Sequence, residues 1–169
     1  MKRVKIHLGD NLRYLRAIKT ACVDMVYIDP PFNTSADYER TNEEVIDETC
    51  EFTDTWEWNG DTEVYLRHIE AIDGRICDFI TQFRADTESG AYLSFMAIRL
   101  LEIYRVLKDT GVLWLHCSVH EQHTLRILLD LIFGSDRMIN QVIWNKKAQV
   151  NTAIKMCNTS EYLMLYAKG

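Results

Sequence analysis

Apolar and polar positions along the chain repeat with two periods. The short Val/Ile-rich runs Val4 to Leu8, Val23 to Ile28 and Val112 to His116 predict strands. Between them apolar residues recur at helical spacing. Leu12, Leu15 and Ile18 predict a first helix after the turn Gly9-Asp10-Asn11. Val64, Leu66, Ile69, Ile72, Ile76 and Phe79 predict one helix over 62–84. The broadest apolar face, Leu93 to Leu107, predicts a helix from Gly90 to about Lys108, ended by Asp109-Thr110-Gly111. Another helix is expected from about Glu121 to Phe133, stopped by Gly134. Ile139 to Trp144 and Tyr162 to Tyr166 read as an antiparallel strand pair across a polar loop. Strands alternating with helices predict an α/β layer fold.

The run Val23 to Ile28 is apolar on both faces and reads as a buried strand of a parallel sheet. It stops at Asp29-Pro30-Pro31-Phe32-Asn33, which holds the only two prolines of the chain. Proline cannot donate to a sheet ladder, so this is a stiff loop at the carboxyl end of a strand, where open α/β sheets bind ligands. The Asp29 carboxylate and the Pro30 carbonyl are hydrogen-bond acceptors in a rigid frame. Two such acceptors beside the Phe32 ring suit the exocyclic amino group of a stacked nucleobase. Drawing both N–H hydrogens toward acceptors localises the nitrogen lone pair for attack, by positioning and electrostatic preorganisation. A plain strand-ending turn is the competing reading.

Asp29-Pro30-Pro31-Phe32-Asn33 after an apolar strand resembles the catalytic motif of DNA amino-methyltransferases, the adenine-N6 and cytosine-N4 enzymes. The similarity extends over Gly9-Asp10-Asn11, Phe52 to Trp58, Tyr92 to Leu101, Gly111 to Cys117 and Ile132-Phe133-Gly134. It points to the site-specific, restriction-modification type in which the catalytic motif precedes the cofactor motif. The resemblance implies a partial Rossmann-like methyltransferase sheet, with parallel strands, a terminal antiparallel pair and helices on both faces. It implies methyl transfer from S-adenosylmethionine to a DNA base, with adenine N6 preferred to cytosine N4 on likeness alone. Asp29, Pro30, Pro31 and Phe32 are the catalytic candidates. Phe32, Asn33, Lys146 and Lys147 are the DNA-contact candidates, and Asp10 and Asp29 the cofactor-binding ones. Two departures stand out: Ser118 follows His116-Cys117 where the family commonly has Asp, and Ser160-Glu161 stands where a His-Asp pair is common.

Composition narrows the picture. The 169 residues are 47% hydrophobic and 11% aromatic, which suits one globular domain with a real core. No apolar run approaches the roughly 18 residues a membrane span needs, and no signal-peptide core follows Met1-Lys2-Arg3, so a cytoplasmic protein with five reduced cysteines is expected. The net charge is −6. Residues 36–90 hold 16 Asp/Glu against 4 Lys/Arg, an acidic excursion that would face away from phosphates. Trp56 and Trp58 are expected to pack this excursion onto the domain. Phosphate contacts fall to Lys146, Lys147 and Lys155 or to another polypeptide, although these lysines also read as ordinary surface.

Asp10 reads equally as a helix N-cap and as a neighbour of the cofactor's adenine. His116, Cys117, His120 and His123 lie close in sequence, but consecutive strand residues face opposite ways and the spacing fits no common zinc pattern, so no metal is expected. A methyl donor in this fold class is normally held by a glycine-rich turn. The glycines here are 9, 60, 74, 90, 111, 134 and 169, and no G-x-G occurs. In the resembled enzymes that turn and the target-recognition region follow the part present here. Two further strands would lie between Val4–Leu8 and Val23–Ile28, and without them the catalytic strand is an exposed apolar edge. Three readings follow. The chain is the catalytic half of an enzyme completed by a second polypeptide, or a folded but inactive remnant with residual nucleic-acid affinity, or a complete enzyme with an unorthodox cofactor site. In the remnant, Val4–Leu8 is expected to pair directly with the catalytic strand.

Overall fold

The computed structural model describes residues 4–33, 37–39, 51–146 and 159–169. The elements run α1 (Asn11–Ala17), β1 (Val23–Ile28), β2 (Asp37–Glu39), β3 (Glu51–Thr53), α2 (Gly60–Ile72), α3 (Gly74–Thr81), α4 (Thr87–Val106), β4 (Leu107–Ser118), α5 (Gln122–Phe133), β5 (Met138–Asn145) and β6 (Ser160–Ala167). Four strands form one sheet in the order β1-β4-β6-β5, and β2 and β3 form a separate antiparallel ribbon. Only β1 and β4 are parallel, while β6 runs antiparallel to both β4 and β5. The α/β class and the terminal antiparallel pair are therefore as expected.

Sheet register sorts the side chains. Val26 and Ile28 stand beside Leu113 and Leu115, which stand beside Tyr166 and Met164. That face is buried under α4 and α5, and α4 is covered along most of its length because α1, α2 and α3 also pack on it. The opposite face carries Met25, Tyr27, Val142 and Trp144, all exposed. Helices were expected on both faces; among the described residues they gather on one. The expectation that β1 is buried on both sides is corrected with it, since Met25 and Tyr27 are 57% and 52% exposed. β1 is an edge strand whose neighbour on the far side is absent among the described residues.

Val4–Leu8 is not a strand. Val4, Ile6 and Leu8 are 85%, 89% and 72% exposed and the segment joins no sheet among the described residues, so it does not close the β1 edge. Alternating apolar residues specify a strand only when a neighbour offers a ladder and a surface to cover them. The helix expected over 62–84 is two helices. Asp73, at φ −154° and ψ 106°, ends α2 and caps α3 through a bond from the Arg75 N–H, so Asp73-Gly74 is a break inside an unbroken apolar periodicity. α4 begins at Thr87 under an Asp86 cap and ends at Val106 rather than about Lys108. Asp109-Thr110-Gly111 does not terminate it; these residues sit in a bulge of β4, where Val23 to Met25 spans Leu107 to Val112. Gly90 is the close-approach glycine: a Cβ there would meet the Trp58 ring at 2.6 Å.

Asp10 caps α1 by accepting from the Leu12 N–H at 3.0 Å, and it pairs with Arg99 on α4 at 2.7 Å. Burial pushes its carboxyl up, but the Leu12 bond and the Arg99 charge outweigh that and hold it below its usual range.

Two outcomes follow. Leu115→Ala, on the covered face, should cost about 2–5 kcal/mol in urea unfolding, whereas Tyr27→Ser on the open face should cost under about 1 kcal/mol. Asp10→Ala should cost about 1 kcal/mol near pH 7 through loss of the cap. Because the folded Asp10 carboxyl lies low, its stabilisation is complete above the ordinary Asp range and is lost as pH falls through the folded value. The gap between Asp10→Ala and wild type should therefore narrow as urea curves are repeated below about pH 4.

Candidate active site

β1 ends at Ile28, opposite Leu115, because Pro30 and Pro31 cannot extend the ladder. β4 continues through His116, Cys117 and Ser118, now paired only with β6. The step between the two strand ends opens a cleft of about 480 Å³ lined by Asp29, Pro30, Pro31, Phe32, Asp54, His116 and Glu161. The four residues proposed from sequence as catalytic thus lie together on its wall. The Asp29 side chain is 58% exposed, and Phe32 is half-buried.

The loop is held from beneath. The Tyr92 hydroxyl donates to the Pro31 carbonyl at 2.8 Å. Burial, with Glu121, Cys117 and Asp54 adding to it, pushes the Tyr92 phenol far up, so it remains a donor. Asn33 takes a positive φ of 54°, which Asn tolerates better than other non-glycine residues. Its backbone N–H donates to buried Asp54, and its Nδ2 to buried Glu121, each at 2.9 Å. Asn33 Oδ1 is buried with no hydrogen-bond partner among the described residues. Flipping the amide would set that oxygen against the Glu121 carboxylate, so the orientation is fixed. Glu121 gives α5 no side-chain cap, because it bonds Asn33 and the Thr124 hydroxyl instead.

His116 joins the loop to the sheet. Its Nδ1 lies 3.1 Å from Asp29 Oδ1 and its Nε2 2.9 Å from Glu161 Oε2. Its ring meets Phe32 nearly edge-on, 5.1 Å between centroids. Lys146 pairs with the other Glu161 oxygen. Burial raises the Glu161 carboxyl, but the bonds from Lys146 and His116 prevail and hold it below its ordinary range. Cys117 faces the core on the opposite side of β4, where burial, with Glu121 and Glu161 adding, pushes its thiol up to about 12.

The other sequence candidates are distributed as follows. Lys146 stands at the cleft's rim, its charge engaged by Glu161, and Lys147 and Lys155 lie outside the described residues. Asp10 lies away from the cleft lining, its Oδ1 accepting from the Leu12 N–H and from Arg99 while its side chain is 56% exposed. Trp56 packs on Tyr92 and Phe95 and bonds Asp54, and Trp58 bonds Glu63 beneath Arg84, so both anchor the acidic segment as expected. Sequence reasoning did not identify Asp54, Tyr92 and Glu121 as loop supports, and considered His116 only as a metal ligand. The available signal was a carboxylate, Glu121, at the head of a strongly apolar helix.

Comparison with known proteins shows the family of the chain. A family model described as DNA methylase, N6_N4_Mtase, matches residues 23–169. The Type III restriction-modification enzyme StyLTI Mod subunit of Salmonella typhimurium is 31% identical over 166 residues, covering 95% of this chain and 23% of that protein. The Type II methyltransferase M.KpnI of Klebsiella pneumoniae is 29% identical over 168 residues, covering 97% of this chain and 32% of that protein. Among solved structures, a PvuII DNA methyltransferase (cytosine-N4-specific) overlaps 96% of this chain and 48% of its own at 11% identity, with a TM-score of 0.47. The chain thus spans a quarter to a third of the length of these two curated relatives. With a match that runs from the first residue of β1 to the last of the chain, this protein belongs to the N6/N4 DNA methylase family.

Proposed function

We propose that this chain is the base-binding, catalytic part of a DNA amino-methyltransferase, acting on an exocyclic amino group, adenine N6 before cytosine N4. The observation that carries the reading is the pairing of an exposed carboxylate, Asp29, with the Phe32 ring on the wall of one open cleft. The target amino group is paired inside the duplex, so the base must leave the stack to reach them. Phe32 stacks on the extruded base. Asp29 and the Pro30 carbonyl accept its two N–H hydrogens and localise the nitrogen lone pair. Asn33, clamped by Asp54 and Glu121, keeps the loop from yielding.

S-adenosylmethionine supplies an electrophilic methyl group. It is a cation, and the carboxylates of Asp29 and Asp10 suit its charge, although Asp10 already serves Leu12 and Arg99. The chain contains no G-x-G turn to cradle such a ligand by close backbone approach. We therefore assign that cradle and the DNA-recognition surface to a complementing segment or polypeptide. The free edge of β1 and the open sheet face are where it would dock. Relatives named as restriction-modification proteins support a place in such a system, working on DNA in the cytoplasm. No helix among the described residues is long and apolar enough to cross a membrane.

Calorimetric titration of the isolated chain with S-adenosylmethionine should show no low-micromolar binding; such binding would remove the need for a complement. Mixed with a segment bearing the glycine-rich turn and recognition region, the chain should transfer labelled methyl groups to DNA. Nucleoside analysis of the product then distinguishes adenine from cytosine. Asp29→Ala should abolish transfer while leaving the unfolding curve in place, because the carboxylate supports no core. A variant retaining more than about a tenth of the rate would falsify the role of Asp29, since losing so central a group is a loss of orders of magnitude.

A further inference from the structure

We propose that His116 is a positioning residue, an imidazole that Glu161 and Lys146 hold in place so that it sets both Asp29 and Phe32 for the base. This deepens the base-methylation reading and rests on it.

His116 has a carboxylate oxygen near each ring nitrogen, Asp29 at 3.1 Å and Glu161 at 2.9 Å. The Glu161 contact is a hydrogen bond, and because a carboxylate only accepts, it places a ring proton on Nε2 and fixes the plane of the imidazole. The ring so held lies against both the Asp29 carboxylate and the Phe32 ring. The charged groups around the ring come from three elements: Asp29 from the loop after β1, Glu161 from β6, and Lys146 just after β5, which reaches the ring only through Glu161. Asp54 lines the same cleft.

The sheet dictates this meeting. β1 and β4 are in register at Ile28 and Leu115, so the next residues, Asp29 and His116, fall side by side. On the other flank Ser118 stands opposite Glu161, which places Glu161 one pleat along the same face from His116. His116 and Glu161 are both about 15% exposed, and the Asp29 side chain is 58% exposed. The buried pair therefore acts on the exposed carboxylate and not the reverse. With Oδ1 of Asp29 held, Oδ2 is the oxygen left for the amino group of the base. The ring edge of His116 against Phe32 limits rotation of the stacking surface in the same stroke. Ser160-Glu161, the departure from the family's common pair, is thus where this chain places the anchor of the device.

The test uses the isolated chain labelled with ¹⁵N-histidine and with ¹³C in aspartate and phenylalanine. His116→Gln identifies the His116 signals by their loss. Wild type should show an N–H resonance on Nε2 of that ring, and Glu161→Gln should shift it while circular dichroism stays unchanged. An Nε2 signal that Glu161→Gln leaves in place overturns the proposal. The Asp29 carboxyl and Phe32 ring signals should move in Glu161→Gln as well as in His116→Gln. If they stay in place in Glu161→Gln, the clamp does not act through His116 and the proposal fails. In the complemented enzyme, Glu161→Gln should slow single-turnover methyl transfer about tenfold with cofactor affinity unchanged, as expected for a displaced rather than a missing acceptor. Absence of transfer by wild type would sink the methylation reading alone, since the resonances judge the clamp independently.

Discussion

Everything at the cleft depends on one mismatch in strand length. Two prolines halt β1 at Ile28, while its parallel neighbour β4, free of proline, runs three residues further against β6. A sheet whose strands ended level would leave no floor for the loop to overhang. Here His116 becomes that floor, and the loop carrying Asp29 and Phe32 turns across it. The loop in turn is not left to its own stiffness. Tyr92 from α4, Glu121 from the head of α5 and Asp54 from the segment before α2 each take one of its polar groups. These supports come from parts of the chain far apart in sequence, so the site's geometry is a property of the packed fold rather than of the motif.

This division explains what could be read from sequence and what could not. The ends of β1, α5, β5 and β6 were legible because each boundary is set locally, by proline, by a glycine at φ 102°, or by a change of period. Two kinds of feature were not. Val4–Leu8 has the composition of a strand but lacks a neighbour, and pairing is a tertiary fact that no local pattern encodes. Asp73-Gly74 breaks a helix whose apolar face continues on both sides, so burial periodicity ran straight through it. The site behaved likewise. The residues proposed to grip the base were legible, because they stand in five consecutive positions of one motif. Their supports, Asp54, Tyr92, Glu121 and Glu161, are single residues whose meaning lies in a partner elsewhere.

The electrostatics of the cleft are more economical than the chain's −6 suggests. Four carboxylates border or underlie it, yet three are committed: Asp54 and Glu121 to Asn33, and Glu161 to His116 and Lys146. The acidic segment at α2 and α3 has part of its charge engaged locally, with Asp73 capping α3 and pairing with Arg75, and Glu63 pairing with Arg84. Asp29, beside His116, is the most exposed of the four. The proposed grip on a neutral amino group needs one accessible carboxylate, and each further free charge would repel phosphates brought near the cleft.

The open side of the sheet follows from the same architecture. α4 is wrapped on nearly every face and draws α1, α2, α3 and α5 around it, so among the described residues the helical cover lies on one side. Met25 and Tyr27 on the edge strand, Val142 and Trp144 across the sheet, and Val4, Ile6 and Leu8 are then apolar groups left exposed among the described residues. An uncovered strand edge beside such a surface is the arrangement that soluble proteins ordinarily avoid by charge, proline or cover. β1 carries one such guard, Asp24, and that carboxylate is paired with Lys108 across the bulge. The edge that presents the Asp29 loop is therefore also an open edge of the sheet among the described residues. A polypeptide that paired with β1 would cover apolar surface and border the cleft in a single step, which ties stability of the sheet to assembly of the site.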